Sequence, residues 1–238
     1  MASTKLEVLN TLIVGATSSI GGSTTRAFVT AGHRVLATSR QETTRPKEPR
    51  ITWSDLDLTS AKSIEAFTTS AVPGFGPLDV VVVMAGILPG KQLADYQDEE
   101  IDLVMNVNFM GPARLIRSLL PHFREEAHII LTSSVSGVRG SYDPIYAASK
   151  AALIGFTKSL ATWLAPNVRV NALAPALVQD STMYEDMAPE RREKHAQDSP
   201  AGQLTTLEEI ADLVLQLVGP AWSRTSGAVI SIDSIPKQ

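Results

Sequence analysis

The stretch Thr11-Leu-Ile-Val-Gly-Ala-Thr-Ser-Ser-Ile-Gly-Gly22 joins a short β-branched run to a segment of helical period through a turn that carries glycine. A strand, a tight turn and a helix N-terminus in this order can bind an anion, because the turn exposes N–H groups and the helix dipole attracts a pyrophosphate. On spacing alone, an ordinary turn explains the pattern equally well. The residues of the candidate cradle are Gly15, Thr17, Ser18, Ser19, Ile20 and Gly21.

Short β-branched runs alternate with longer segments of helical period along most of the chain. This alternation is typical of βαβ units around a parallel sheet that helices cover on both faces. The consecutive valines at 80–83 suit a central strand, because a strand buried on both faces need not alternate between apolar and polar residues. Right-handed crossovers then predict a doubly wound parallel α/β sheet of the Rossmann type, with about seven strands.

The predicted elements follow from the same periodicity. Strands are expected near residues 11–14, 34–38, 51–53, 79–84, 128–132, 168–172 and 228–232, and helices near 21–31, 60–70, 101–124, 145–164 and 207–218. Because no linker rich in Pro, Gly or Ser divides the chain, residues 1–238 are predicted to form a single domain. Residues 179–203 lack a strong period and follow a strand end, so they are interpreted as a mobile substrate flap, with a solvated surface excursion as the alternative.

Composition excludes several classes of function. With 21 Lys and Arg against 25 Asp and Glu, the formal net charge is −4, and the chain lacks the basic field that a nucleic acid requires. The absence of cysteine excludes disulfides, thiolate metal sites and a cysteine nucleophile. The 4 histidines are far apart, without partners at metal-ligand spacing, so no metal site is predicted. The longest apolar run, residues 80–88, is too short for a membrane helix, and a soluble, cytoplasmic protein is expected.

The end of the second predicted strand, Thr38-Ser39-Arg40, bears on which dinucleotide would bind. This end would face the adenosine ribose, where an acidic side chain holds a free 2′-hydroxyl and a cation pairs with a 2′-phosphate. Because the sequence offers Arg40 rather than Asp or Glu, Ser39 and Arg40 favour NADPH over NADH. The alternative is that Arg40 is an ordinary solvated residue at a strand end.

Tyr146 and Lys150 are spaced to share one face of the helix predicted over residues 145–164. An ammonium at about 4 Å supplies roughly the free energy that lowers a phenol pKa by about three units, at an effective dielectric near 20. A tyrosine tuned in this way can donate or remove a proton near neutral pH. Tyr142 is rejected as the rival phenol, because the residue four positions later is Tyr146 and not a cation.

Several further motifs occur in a fixed order along almost the whole chain. After the glycine turn come Asp57-Leu58-Thr59, Ala85-Gly86, Asn108-Phe-Met-Gly111, Ser134-Val-Ser-Gly137, Tyr146-Ala-Ala-Ser-Lys150 and Asn171-Ala-Leu-Ala-Pro175. In order and spacing the set resembles the short-chain dehydrogenases/reductases of the Tyr-x-x-x-Lys subtype, among them the ketoreductases similar to 3-oxoacyl-ACP reductases. The resemblance implies a single dinucleotide-binding and catalytic domain.

The resemblance also implies a catalytic set of Asn108, Ser134, Tyr146 and Lys150. Tyr146 would be the acid–base, while Lys150 would lower its pKa and hold the nicotinamide ribose. Ser134 would steady the substrate oxygen, and Asn108 would anchor a water relay behind Lys150. Ser134 is preferred to Ser133 because it alone begins the Ser-x-x-Gly turn, and adjacent strand residues face opposite ways.

The implied cofactor is NADPH or NADP+. Asp57 would read the adenine amino group, and the backbone of residues 175–178 would orient the carboxamide. Outside the glycine turn, the predicted cofactor-binding residues are Ser39, Arg40, Asp57, Leu58, Ala85, Gly86, Tyr146, Lys150, Pro175, Ala176 and Val178.

The chain departs from the family pattern at several positions. Ser19 replaces the middle glycine of the turn, Asp180 replaces a threonine that often contacts the carboxamide, and the usual C-terminal Asp-Gly-Gly reads Asp233-Ser234-Ile235. None of these changes removes a catalytic group. The side chain of Ser19 is expected to press on the pyrophosphate or bond to it.

The leading prediction is an NADPH-dependent oxidoreductase that transfers a hydride between nicotinamide and a small-molecule carbonyl or alcohol. One alternative is an enzyme of the same fold that uses Tyr146 as a base without net redox chemistry, as a dehydratase or isomerase does. Another is a non-catalytic regulator that binds NADPH. No nucleic acid or membrane partner is expected, and a homodimer or homotetramer is predicted through the helices at 101–124 and 145–164.

Overall fold

The strands form one parallel sheet whose order reverses near its centre. The computed structural model describes residues 8–40 and 45–232. Its strands are β1 (Asn10–Val14), β2 (Arg34–Ser39), β3 (Ile51–Asp55), β4 (Leu78–Val83), β5 (Phe123–Thr132), β6 (Val168–Pro175) and β7 (Val229–Ile232). They pair in the order β3-β2-β1-β4-β5-β6-β7, and every pair is parallel. The predicted doubly wound α/β fold is confirmed, and the reversal beside β1 opens a crevice at the carboxyl ends of the strands.

Helices cover both faces of this sheet. In chain order they are α1 (Ser19–Thr30), α2 (Ala61–Ala66), α3 (Val72–Phe75), α4 (Asp98–Met105), α5 (Gly111–Leu119), α6 (Val135–Arg139), α7 (Pro144–Trp163), α8 (Thr182–Glu185), α9 (Pro189–Gln197) and α10 (Leu207–Leu217).

The side chains of β4 show why the valine run suits a central strand. Val81 and Val83 pack into one core with residues of α5 and α7, among them Leu115. Val80 and Val82 point to the opposite face and pack with residues of α1 and α10. Both faces of the strand are therefore buried, which is the arrangement that a continuous apolar run predicts.

The helix predicted over residues 101–124 is wrong in its bounds. It begins earlier, as α4 at Asp98, passes through a π-helical turn, Asn106–Met110, and ends with α5 at Leu119. Pro121 follows within a short 3₁₀ turn, and proline cannot continue an α-helix. The chain then enters β5, so Arg124 is a strand residue whose Nε lies 3.0 Å from Asp79 Oδ1.

Residues 179–203 contain more regular structure than the sequence pattern indicated. They include α8, whose N-cap Ser181 accepts a hydrogen bond from the Tyr184 amide, and α9. The Arg192 guanidinium joins the two helices by donating to the Met187 carbonyl at 2.7 Å and the Glu185 carbonyl at 2.6 Å. The interpretation of this segment as a flap remains a prediction.

The departure from the family pattern at residues 233–235 lies outside the described residues.

Gly15 allows the β1–α1 turn to approach the end of β4. Its φ is +84°, and a Cβ there would lie 2.8 Å from the Ala85 nitrogen. Gly32 offers a matched comparison, because its φ is +92° but nothing lies within 4 Å of its Cβ position.

We expect Gly15→Ala to lower the free energy of unfolding more than Gly32→Ala. Both changes impose a left-handed conformation on alanine, which costs about 1–2 kcal/mol, whereas only Gly15→Ala adds a backbone clash costing about 1–3 kcal/mol more. Urea unfolding of the parent and both variants measures the difference. Equal losses in the two variants would contradict the close approach at Ala85.

Candidate active site

The turn after β1 is shaped by hydrogen bonds that leave amides of the α1 N-terminus available. Ser18 caps the helix: its hydroxyl donates to the Gly15 carbonyl at 2.8 Å and accepts from the Gly21 amide at 3.1 Å. A Cβ on Gly21 would lie 2.2 Å from the Gly15 carbonyl oxygen, so the turn requires glycine there. Among the described residues, the amides of Ser19 and Ile20 have no hydrogen-bond partner. These amides and the helix dipole fit a diphosphate.

Ser19, at the position of the family's middle glycine, contacts residues 179–203. Its hydroxyl accepts a hydrogen bond from the Thr182 amide at 3.1 Å and lies 3.3 Å from the Thr182 hydroxyl. No sequence pattern predicts this contact, because Ser19 and Thr182 are far apart in the chain. Of the other turn residues, Thr17 is exposed and Ile20 packs partly against the core.

The end of β2 carries two cations near the predicted ribose site. Ser39 is buried and Arg40 is exposed. Arg45, which sequence reasoning missed, donates from Nη2 to the Ser39 hydroxyl at 2.8 Å and forms an ion pair with Asp55. Its guanidinium also lies 5.8 Å from the centre of the Trp53 ring. The only sequence signal for Arg45 was its closeness to Arg40 in the chain.

Asp57 and Leu58 lie just beyond the end of β3. One carboxylate oxygen of Asp57 accepts from the Thr59 amide at 2.9 Å and the Thr59 hydroxyl at 2.7 Å, which holds the turn. Leu58 is buried, and its carbonyl oxygen lies 2.4 Å from the place that a Cβ on Gly111 would take. Both residues are at the predicted edge of the sheet, and the role of Asp57 with adenine remains a prediction.

Ser134 and Tyr146 meet where β5 and β6 end. Ser134 is the N-cap of α6, accepting from the Ser136 amide at 3.1 Å, and its hydroxyl lies 3.5 Å from the Pro175 carbonyl. The side chain of Ser134 also acts on the phenol of Tyr146, lowering its pKa by hydrogen bonding. Ser133 points elsewhere and donates to the Lys150 carbonyl at 2.7 Å. Of the two serines, Ser134 is therefore the one that acts on the phenol, and its role with the substrate oxygen remains a prediction.

The electrostatics of Tyr146 and Lys150 are governed by burial. Burial raises the pKa of Tyr146, the Ser134 hydrogen bond opposes this rise, and the charge of Asp143 adds to it. Burial also lowers the pKa of Lys150 from 10.5 to about 8. Lys150 Nζ lies 5.8 Å from the Tyr146 ring centre and donates to the Thr132 carbonyl at 2.8 Å. The expectation that the ammonium depresses the phenol pKa is wrong for this arrangement.

Asn108 sits in the π-helical turn and holds the loop after β4. Its Oδ1 accepts from the Ile87 amide at 2.8 Å, and its Nδ2 donates to the Ile87 carbonyl at 2.9 Å and the Ser149 hydroxyl at 3.0 Å. A Cβ on Gly86 would lie 3.1 Å from Lys150 Nζ and 3.4 Å from Asn108 Oδ1. Gly86 thus leaves a polar space between the two side chains, and the predicted water relay remains a prediction.

The segment after β6 lies beside Ser134. The Ala176 amide donates to the Ile232 carbonyl at 3.0 Å, and buried Val178 forms an isolated parallel bridge with Thr205. The backbone of residues 175–178 is therefore held at the carboxyl edge of the sheet, with the Pro175 carbonyl beside Ser134. Within residues 8–40 and 45–232, no three His, Asp or Glu side chains group as metal ligands, and no helix is long and apolar enough to cross a membrane.

Replacing Lys150 should remove a pH dependence of stability. Because the folded pKa of about 8 is below the unfolded value of 10.5, the unfolded chain binds more protons between these pH values. The contribution of Lys150 to the free energy of unfolding therefore rises with pH, by about 2 kcal/mol between roughly pH 7.5 and 9.5. Urea unfolding at both pH values should show this rise in the parent and not in Lys150→Met. An equal rise in the variant would mean that Lys150 titrates normally.

Comparison with known proteins agrees with the motifs. The family described as enoyl-(acyl carrier protein) reductase matches residues 15–234. A 3-oxoacyl-(acyl-carrier-protein) reductase of Thermotoga maritima is 33% identical over 241 residues, covering 96% of this chain and 98% of that protein. Two solved structures from Brucella melitensis match in fold with a TM-score of 0.88 each. One is a short-chain dehydrogenase/reductase titled glucose/ribitol dehydrogenase, at 26% identity over 94% of both chains.

The second structure is a 3-ketoacyl-(acyl-carrier-protein) reductase complexed with NADH, at 25% identity over 96% of this chain and 98% of that one. The family match spans most of the chain, and the resemblance inferred from the motifs is confirmed. The chain belongs to the short-chain dehydrogenase/reductase family, whose members are nicotinamide-dependent oxidoreductases acting on carbonyl and alcohol groups.

Proposed function

We propose that this oxidoreductase is an NADPH-dependent ketoreductase in which Tyr146 is the proton donor. The observation that carries the proposal is the buried phenol of Tyr146, which lies one helical turn from buried Lys150 and whose pKa the Ser134 side chain lowers. The similar proteins are reductases and dehydrogenases, which disfavours a dehydratase, an isomerase or a non-catalytic regulator.

The residues have separate tasks in the proposed reaction. The nicotinamide, when bound, supplies the hydride. The Ser134 hydroxyl positions the carbonyl oxygen of the substrate, and the Tyr146 phenol delivers a proton to that oxygen as negative charge develops on it. Because burial favours the neutral phenol, Tyr146 is held in the protonated form that reduction requires. Lys150, buried and donating to the Thr132 carbonyl, would hold the ribose of the nicotinamide when a cofactor is bound.

The choice of NADPH rests on the cations at the end of β2. Arg40 is exposed at the strand end, and Arg45 is held beside Ser39 and Asp55. The residue at the end of the strand is Arg40 and not Asp or Glu. A free ribose 2′-hydroxyl would need an acidic acceptor at this position. Two guanidinium groups at this edge suit a 2′-phosphate.

The substrate and the assembly are proposed from the apolar surface. Leu88 and Val138, which follow Gly86 and Ser134 in the chain, are 37% and 54% exposed and favour an apolar carbonyl substrate.

Away from this edge, three large apolar side chains on the α4 and α7 side are exposed: Leu103 at 46%, Met110 at 39% and Trp163 at 66%. These side chains support the predicted homodimer or homotetramer. The cytoplasmic location remains a prediction from the sequence.

Tyr146→Phe should abolish turnover and leave NADPH binding almost intact. The change removes only the proton donor, so kcat should fall by about 10²–10⁴-fold. Loss of NADPH absorbance with a panel of β-ketoacyl thioesters, cyclic ketones and aromatic ketones measures turnover. Tyr142→Phe is the matched control, since Tyr142 is a phenol that is 56% exposed. Normal turnover by Tyr146→Phe would refute the assignment.

Arg40→Ala and Arg45→Ala should weaken NADPH binding selectively. Loss of a charged contact to phosphate should raise the KM for NADPH by about 10-fold or more and change that for NADH by less than about twofold. Arg50→Ala is the control, because Arg50 donates to the Gly32 carbonyl at the other end of the strands. Steady-state kinetics with both cofactors gives the comparison. A parent chain that prefers NADH would overturn the proposal for the cofactor.

A further inference from the structure

We infer that Asp143 is a positioning residue that sets the place of Tyr146 and also fixes the loop of residues 87–97 as a wall of the substrate site. The inference rests on the proposed ketoreductase function. Asp143 belongs to none of the motifs that identified the family, and it makes no contact with the reacting phenol through its own oxygens. Its effect on the reaction would pass through the backbone that it holds, in addition to its charge, which raises the pKa of Tyr146.

The carboxylate of Asp143 is buried and accepts several hydrogen bonds. Asp143 is 2% exposed. Oδ1 accepts from the Tyr146 amide at 2.9 Å, while Oδ2 accepts from the amides of Gly90 at 3.0 Å and Lys91 at 3.3 Å. The Tyr96 hydroxyl lies 2.9 Å from Oδ1 and 2.8 Å from Oδ2. One carboxylate therefore joins the first turn of the catalytic helix to two points of the loop.

Tyr96 is suited to be a permanent donor to this carboxylate. Its side chain is buried, at 8% exposure. Burial and the hydrogen bond to Asp143 hold the pKa of Tyr96 well above its ordinary value, so the phenol keeps its proton. Because Asp143 lies in a site with little water, each of its donors is needed to compensate the loss of hydration.

The loop is also held from its outer side. Lys91 Nζ lies 2.5 Å from Glu100 Oε1, and the other oxygen of Glu100 accepts from the Gln97 amide at 3.1 Å. These contacts tie the loop to α4, which leads to Asn108 and its two hydrogen bonds with Ile87. The loop is therefore fixed at Ile87 by Asn108 and at Gly90, Lys91 and Tyr96 by Asp143.

This arrangement presents apolar side chains from a fixed backbone. Leu88 lies between the two anchoring points and is 37% exposed, and Leu93 lies between Lys91 and Tyr96 and is 61% exposed. An ordinary N-cap would need only one oxygen and one amide. Because the same carboxylate also accepts from the loop, it positions both the wall and Tyr146. A shift of this carboxylate would therefore displace the loop and the phenol together.

Two substitutions separate the cap from the wall. Asp143→Asn keeps an oxygen that can accept from the Tyr146 amide but replaces the second acceptor with an NH₂ group that faces N–H donors. Tyr96→Phe keeps the whole carboxylate and removes only one donor. Thr206→Ala is the control, since Thr206 caps α10 by accepting from the Glu209 amide at 3.2 Å and makes no hydrogen bond with Asp143 or the loop of residues 87–97.

We expect the kinetic constants to divide among the variants. Asp143→Asn should raise the KM for the carbonyl substrate and lower kcat, each by about 10-fold, because small displacements of reacting groups are costly. Tyr96→Phe should raise KM by about 3–10-fold with kcat within about twofold of the parent. Thr206→Ala should lower Tm and leave both constants within about twofold. The NADPH Kd, measured without substrate, should stay within about twofold in every chain.

Hydrogen exchange at Gly90 and Lys91 tests the inference without turnover. In the ligand-free chain, Asp143→Asn and Tyr96→Phe should speed exchange of these amides by about 10-fold, whereas Thr206→Ala should not. Unchanged exchange in both site variants, or Asp143→Asn kinetics equal to those of the parent, overturns the inference. A folded parent that oxidises no NADPH with any carbonyl in the panel instead overturns the proposed function, and the exchange rates then decide the role of Asp143 alone.

Discussion

Burial of a phenol and an amine together at the start of α7 is the constraint on which the site depends. Tyr146 and Lys150 are 5% and 3% exposed, and the lack of water drives both side chains toward their neutral forms. Each therefore needs polar protein groups nearby, and Ser134 and Thr132 supply them. Both groups come from the end of β5, where Thr132 is the last residue of the strand and Ser134 follows it, beside the first turns of α7.

The fold and the main site residues could be predicted because their signals are local. The valines of β4 predict a strand buried on both faces. Short motifs contain the glycine turn, Ser134, Tyr146 and Lys150. The bounds of the helix after β4 differ from the prediction because the apolar period continues through the π-helical turn. Only Pro121 indicates where the helix ends before β5. A period alone cannot distinguish one long helix from two joined by such a turn.

The missed residues act through contacts between distant parts of the chain. Arg45 reaches Ser39 and Asp55 across neighbouring strands, and Asp143 reaches a loop that precedes it by about fifty residues. Neither side chain has a spacing that identifies its partners. The direction of the Tyr146 pKa shift also cannot be predicted from spacing. The spacing to Lys150 predicts a shared helix face, but it does not predict that burial raises the pKa of Tyr146 or that the Lys150 ammonium donates to the Thr132 carbonyl.

Gly86 has a consequence for redesign of this enzyme. A side chain there would enter the space between Lys150 Nζ and Asn108 Oδ1, so these two side chains would have to shift. Leu88 and Leu93 stand a few residues further along the same loop, exposed and outside its anchoring contacts. Mutational libraries aimed at new substrates are therefore better directed at Leu88 and Leu93 than at Gly86.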